Sequence, residues 1–565
     1  MHPFNSFHEY PRRDKQYQAK HSLDFDMMRS RIMLKRGGSQ EETRILWITH
    51  AVCGLLMGTA GFLLILFEDL LVTWRSNTVQ KLIDSTPDDV LWESYLFYAG
   101  SAVTFVAIAC LLTIHVAPAA AGSGVAEIVA MLNGINYDKC VNLNTLFVKY
   151  FGTLFAVVSG LCIGKEGPLV HIGGVVGVVC CYMPLKDSQY MQNDTRKRQL
   201  MAAGAACGLS VAFGAPIGGA LFAYEISTPN TFWTVTMLWR VFVSTAIATF
   251  TLCVMTSMYE GQPLSFSDSG ALKFGSLVDS QDNTILDIPA GIILGIVCGL
   301  LGSLFVYVNT TINIYRKRYI TTNTKRFIEA ITFAVVTSSL FYMVVALRIS
   351  NCKPDPVNEG ESEVFRFQCA EGYYNPLATL VFNTEGGTIR QFFRYPEIIN
   401  QADKENALDI VENVSIYLLL WYVGLITTSG VFVPAGIFLP GMIVGCSVGL
   451  LYLEFLLQGL DMNLLRTGGQ SYLVLGATAT LSGYTRLTYS LAVVMMETTQ
   501  SINMFLPILI TIAVSHASGV LFTMGLYDYQ YRAKQMPILG ERMPMQVERI
   551  RVRDQLAALH GPDGQ

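Results

Sequence analysis

Glu166 stands in the run Gly164-Lys165-Glu166-Gly167-Pro168, with apolar sequence on both sides. An ionisable side chain at membrane depth is costly, so it marks a route for ions or protons sooner than a packing position. Two more glycine-rich breaks interrupt apolar sequence: Gly122-Ser123-Gly124-Val125-Ala126-Glu127 and Gly430-Val431-Phe432-Val433-Pro434. Gly and Pro let a chain break there without a clash, and Pro suits the first turn of the next helix. A helix starting at such a break presents unpaired backbone N–H groups and roughly half a positive charge. That suits a dehydrated anion, whose bare burial costs on the order of tens of kcal/mol. A fixed cation would also compensate, but could hold the ion too tightly to let it pass. One break alone reads as a kinked helix; three together, all in apolar context and one carrying an ionisable residue, favour a functional role.

The elements that must position these residues are membrane helices. Of 565 residues, 52% are hydrophobic and 15% charged, against roughly 25% charged in a soluble domain. Apolar segments of near-spanning length succeed one another at 46–67, 94–116, 145–164, 233–255, 288–308, 327–347, 416–427 with its apolar continuation, and 505–524; about 20 such residues match the hydrocarbon thickness. The stretches 168–183, 200–224 and 430–456 are too short or too broken by Gly and Pro to be simple spans. The expected organisation is a polar cytoplasmic arm (1–45), a membrane domain (46–527) and a short cytoplasmic tail (528–565). The arm is basic and precedes the first apolar segment, so no cleavable signal peptide is read. Residues 70–93, 256–285 and 349–372 read as polar connectors. Interrupted helices late in each half, 46–257 and 286–527, are the sequence mark of a midplane site in an inverted-repeat fold.

Net charge is −4, with no basic domain, which argues against a nucleic-acid partner. The twelve Cys show no metal-ligating spacing, and most read as small buried hydrophobes. Cys352 and Cys369 bracket the longest polar loop, where a disulfide on the non-cytoplasmic side and two free thiols are both open readings. Sequons at Asn193, Asn309 and Asn413 are weak, two lying in or beside apolar segments. Enzyme signatures are incomplete. Gly160–Lys165 lacks the spacing and the Ser/Thr of a phosphate loop. His8-Glu9 lacks the second His of a zinc-protease helix, and Ser518 near His516 lacks a nucleophile motif.

The three breaks resemble the GSGIP, GKEGP and GxFxP signatures of the CLC family of chloride channels and chloride/proton exchangers. Gly204–Gly219, Tyr374–Phe382, Leu475–Arg486 and Leu526-Tyr527-Asp528 match further family segments in order, across about 120–540. The resemblance implies an all-α polytopic fold of two inverted halves whose broken helices meet at a midplane anion site. It implies that Ser123 donates its hydroxyl to the central chloride, with Gly124 beside it, that Val431 and Phe432 offer backbone N–H groups, and that Tyr527, on the last membrane helix, donates its phenol. Gly164, Lys165 and Gly167 would line the outer seat and Glu166 would gate it. Ala126 replaces the family's usual Pro, which leaves that helix start less rigidly defined. Members with Pro at the Ser123 position tend to prefer nitrate, so Ser123 points to chloride.

In Leu221-Phe-Ala-Tyr-Glu225-Ile226-Ser227 the second of the exchangers' paired glutamates, the inner proton site, is Ile226. An isoleucine cannot carry a proton, and with Trp239-Arg240 the setting is similar to that of muscle- and kidney-type channels. The sequence therefore favours a passive, glutamate-gated chloride channel, with a proton-coupled exchanger using an inner water path as the alternative. The expected partners are chloride as the bound ligand, the lipid membrane and a second copy of the chain; no cofactor is expected. The plasma membrane is favoured over endolysosomal or vacuolar membranes. The family's paired nucleotide-binding modules need more residues than come after Tyr527, and Val547–Leu556 reads as a vestige of their approach, so nucleotide regulation is not expected.

Overall fold

The computed structural model describes residues 20–22, 40–85, 91–137, 139–183, 193–227, 233–261, 287–354, 364–401, 404–459 and 469–536. The described residues are almost wholly helical. In chain order the helices are α1 (Gln40–Ser85), α2 (Trp92–His115), α3 (Val125–Leu132), α4 (Leu143–Val158), α5 (Glu166–Cys180), α6 (Asp194–Phe213), α7 (Pro216–Ile226), α8 (Val235–Glu260) and α9 (Asp287–Tyr319). The series continues with α10 (Asn323–Leu347), α11 (Pro376–Phe382), α12 (Glu385–Gln401), α13 (Lys404–Thr428), α14 (Phe438–Glu454), α15 (Gly469–Thr485), α16 (Tyr489–Thr499), α17 (Phe505–Val520) and α18 (Leu526–Ala533). Eight of the described helices are long and apolar enough to cross a membrane. The protein is an integral, multi-pass membrane protein, as its composition requires.

Two short ladders complete the secondary structure. β1 (Lys20–Ser22) pairs antiparallel with β2 (Ile135–Tyr137), and β3 (Lys353–Pro354) with β4 (Tyr373–Tyr374). Cys352 and Cys369 are joined in a disulfide that closes the loop carrying the second ladder. One expectation is corrected. The connector over 70–93 does not exist as a loop up to Ser85, because α1 continues through it, with Arg75 and Gln80 bonded to the protein. The vestigial stretch expected at Val547–Leu556 lies outside the described residues.

Each half builds its core around one glycine-lined helix pair. On α5, Gly173 and Gly177 lie so close to Gly204 and Leu200 of α6 that any Cβ would strike backbone. Gly445 and Gly449 of α14 meet Gly476 and Tyr472 of α15 in the same way. Close backbone approach of this kind packs membrane helices where burial from water contributes little. It fixes the two short helices that begin at the breaks.

Candidate functional site

Each half stops a helix inside the protein and starts another a few residues on. α4 ends at Val158, and its last carbonyls are bound by Arg75: Nη1 donates to Val158 O at 2.9 Å and to Ser159 O at 2.9 Å, Nη2 to Tyr98 O at 3.0 Å. α13 ends at Thr428 and is bound the same way. Arg316 Nη1 donates to Ser429 O at 2.9 Å, and Asn309 Nδ2 to Ile426 O at 2.9 Å and Ser429 O at 2.8 Å. A left-handed glycine then turns the chain, Gly160 (φ +82°) in one half and Gly430 (φ +108°) in the other. Terminal carbonyls carry partial negative charge, so a buried guanidinium at each end is the expected complement.

The restarting segments are stitched together through backbone. Gly164 N–H donates to Gly436 O at 2.8 Å and Gly436 N–H to Gly164 O at 2.7 Å. Gly122 N–H reaches Val433 O at 2.9 Å, and Ala435 N–H reaches Gly122 O at 3.1 Å. The first two motifs singled out in sequence therefore meet the stretch Val433–Gly436 at one place. Lys149, fully buried on α4, supports the join by donating to Ala120 O at 3.0 Å and Gly122 O at 2.6 Å.

Glu166 is the first residue of α5 and is 1% exposed. Its carboxylate accepts the Leu439 N–H at 3.3 Å, in the first turn of α14. The acid of one half thus sits on the helix N-terminus of the other. Lys165 points away and pairs with Glu68 of α1, Nζ to Oε2 at 2.6 Å, both side chains under a tenth exposed. Ser123 lies against Gly167, whose added Cβ would strike its Oγ. Ser123 Oγ and Tyr527 Oη are both buried without a hydrogen-bond partner among the described residues. Such orphaned hydroxyls are rare unless a ligand uses them. Tyr527 stands in the first turn of the short α18, not on a membrane-length helix, with its ring 6.4 Å from that of Phe438. α18 packs on α3, and Lys534 just beyond it is ion-paired with buried Glu127.

Val431 and Phe432 are not at this place. Val431 N–H donates to Thr428 O at 3.1 Å, so it is engaged in turning the chain, and its side chain packs in an apolar cluster with Ala109 and Ile114. Phe432 lies under the Arg326 guanidinium, 4.4 Å from its ring centre. The reason is that Gly430 closes α13 and does not open α14. The segment that faces Glu166 is Gly436-Ile437-Phe438-Leu439-Pro440, which repeats the Gly-x-Phe-x-Pro pattern six residues later. Tyr484 Oη donates to Ile437 O at 2.6 Å and fixes this start. The Gly164 N–H is likewise consumed by Gly436 and is not free for an anion. Glu68, Lys149 and Leu439 were missed by sequence reasoning. Only Leu439 had a readable signal, in the repeated pattern.

Ile226 ends α7 as a buried apolar residue. Neighbouring Glu225 is fully used as a cap for α16, accepting from Thr488 N–H at 2.8 Å, Thr488 Oγ1 at 2.8 Å and Ser490 N–H at 3.2 Å.

A family model described as voltage gated chloride channel matches residues 105–519, well over half of the chain. The chain belongs to that family. Two relatives from Rattus norvegicus and Homo sapiens, each named H(+)/Cl(-) exchange transporter 7, are 31% identical over 97% and 98% of the chain and 68% and 69% of their own lengths. Chloride channel protein C of Dictyostelium discoideum is 28% identical over 90% of the chain and 66% of its own length. Among solved structures, a eukaryotic CLC transporter aligns over 87% of the chain and 75% of its own, at TM-score 0.62 and 23% identity. A cyanobacterial Cl−/H+ antiporter aligns over 87% and 98% at TM-score 0.66 and 18% identity. Family members transport anions across membranes, and the fold of this chain is theirs.

Proposed function

We propose that this protein exchanges chloride for protons along a path gated by Glu166. The observation that carries the reading is the Glu166 carboxylate held on the α14 N-terminus at Leu439, with the unpartnered Ser123 and Tyr527 hydroxyls in the same join. A carboxylate and a halide compete for one seat, since both are anions solvated by the same N–H groups. Protonating Glu166 removes its charge and frees the seat; chloride entering displaces it. One group therefore meets both ions, which is the minimum that coupling needs. Similarity over nearly the whole chain to proteins named as proton/chloride exchangers supports coupling over passive flow.

Chloride would be held by Ser123, Tyr527 and the amides opening α14, with Phe438 and Leu439 taking the part first assigned to Val431 and Phe432. Gly124, Lys165 and Gly167 shape the seat and do not bind the ion through side-chain charge. The proton must then leave the inner side through water, because Ile226 offers no carboxyl and Glu225 is committed to its cap. That same observation favours a second reading, a passive channel. We also propose two copies per assembly, each with its own path, which cross-linking in membranes would test. The deciding measurement on the function is the reversal potential of the purified protein under a proton gradient at fixed chloride. A shift means exchange; no shift leaves the channel.

A further inference from the structure

A second carboxyl is buried among the charged groups around the gate. Glu385 opens α12 and is 8% exposed, yet both its carboxylate oxygens lack a hydrogen-bond partner among the described residues. A buried acid with neither oxygen bonded is expensive and calls for a use. It lines a cavity of ≈ 50 Å³, together with Glu68, Arg75, Ser76, Thr384 and Tyr417. A cavity of that size, lined by these polar groups and by apolar side chains, holds about three or four waters. The cavity lies toward the disulfide side, because α1 runs on from Arg75 to Gln80 and Asp84, which bond Phe367 and Arg366 of the disulfide loop. The ionisable groups around Glu385 include Glu68 and Arg75 from α1, Tyr98 from α2, Cys162 and Lys165 from the turn before α5, Glu166 opening α5, and Tyr417 from α13. The Arg75 guanidinium is committed to carbonyls and the Lys165 ammonium to Glu68, so neither pairs with Glu385.

We propose that Glu385 is a second proton-carrying carboxyl, passing protons between the cavity on the disulfide side and Glu166. The proposal rests on the reading of Glu166 as the gate. A proton from water in the cavity binds the Glu385 carboxylate; the neutral acid then gives it, directly or through one water, to the Glu166 carboxylate. Glu166 leaves the α14 N-terminus uncharged and Glu385 is again an anion. No other atom or electron moves.

The test is the full chain, purified and inserted with one orientation in a planar bilayer, with pH stepped on one side at a time at symmetric chloride. Glu385→Gln keeps shape and loses the proton. The expected result is that gate opening driven by acid on the disulfide side slows by about tenfold or more. The response to the opposite side and the open-path chloride conductance stay as in the wild type, and Glu385→Asp restores the lost response in part. A Glu385→Gln protein that answers disulfide-side pH like the wild type overturns the proposal. So does one whose chloride conductance and pH response fall together without recovery in Glu385→Asp, since that marks a structural role. Glu166→Ala run beside it separates the two readings. If it conducts without gating while Glu385→Gln behaves as wild type, the gate stands and the relay falls; if Glu166→Ala still gates, both fall. Should Glu385→Gln not fold, Glu385→His, which still titrates, must shift the disulfide-side response to a different pH, and an unshifted response overturns the relay.

Discussion

The break at Gly164–Pro168 and the break at Gly436–Pro440 are built alike and charged differently. Each comes after a helix whose terminal carbonyls are held by a buried arginine, each begins with a glycine bonded to the other's backbone, and each places Pro at the fifth position. One puts a glutamate at the third position where the other puts Phe438. The first half supplies a charge on a rotatable stem and the second a fixed array of amides. On the proposed function, two copies of one backbone device do different jobs: a seat that must stay, and a competitor that must leave.

The most direct way to abolish the contrast is to remove the acid. Glu166→Ala should leave a chloride path open at all voltages and pH values, with proton coupling gone. A liposome chloride efflux with simultaneous pH recording reads both; a mutant that stays gated would falsify the role of the tethered anion. Next in size is the join itself. A Cβ at Gly436 would lie 2.6 Å from Gly164 O and 2.9 Å from Pro168 Cδ, and backbone cannot move aside as a side chain can. Gly436→Val should therefore lose most chloride flux, while Phe432→Ala, at the turn that is not the seat, keeps it close to wild type. The reverse outcome would return the seat to Gly430–Pro434. Lys165→Met leaves Glu68 buried and unpaired, a loss of about 3–5 kcal/mol of stability. Replacing both partners with apolar residues should recover most of the lost thermal midpoint in detergent.

The fold was largely legible because bilayer physics writes it in composition: long apolar runs give spans, and Gly and Pro in apolar context give breaks. Glu166 could be singled out because an acid at membrane depth stands out, whereas Ser123 and Tyr527 are marked only by the resemblance of their segments to family signatures. The second helix start was read six residues early because Gly430–Pro434 and Gly436–Pro440 share one pattern, and only the backbone decides which glycine ends a helix and which begins one. Arg75 and Gly160 in the first half teach that a break has two glycines with separate duties, a distinction that one-dimensional spacing does not carry. Lys149, Glu68 and Glu385 were invisible for another reason. Each looks like an ordinary charge near a helix end; Lys149 and Glu68 take their meaning from partners 27 or more residues away in sequence, Gly122 and Lys165, and Glu385 from burial that spacing does not show.

Smaller effects sharpen what the seat prefers. Tyr527→Phe deletes one donor to the ion and keeps the ring against Phe438, so chloride affinity should drop by about 1.5 kcal/mol, roughly tenfold, in isothermal titration. The substitution Ser123→Pro should move affinity less and selectivity more. It deletes the buried, unpartnered hydroxyl from that wall, so the seat solvates any anion less well. Chloride loses more from this than nitrate, because chloride concentrates its charge and depends on donors to replace its water, whereas nitrate spreads its charge over three oxygens. The nitrate-to-chloride permeability ratio should rise a few-fold under bi-ionic conditions. An unchanged ratio would show that the Ser123 wall is scenery and that the α14 amides alone choose the ion.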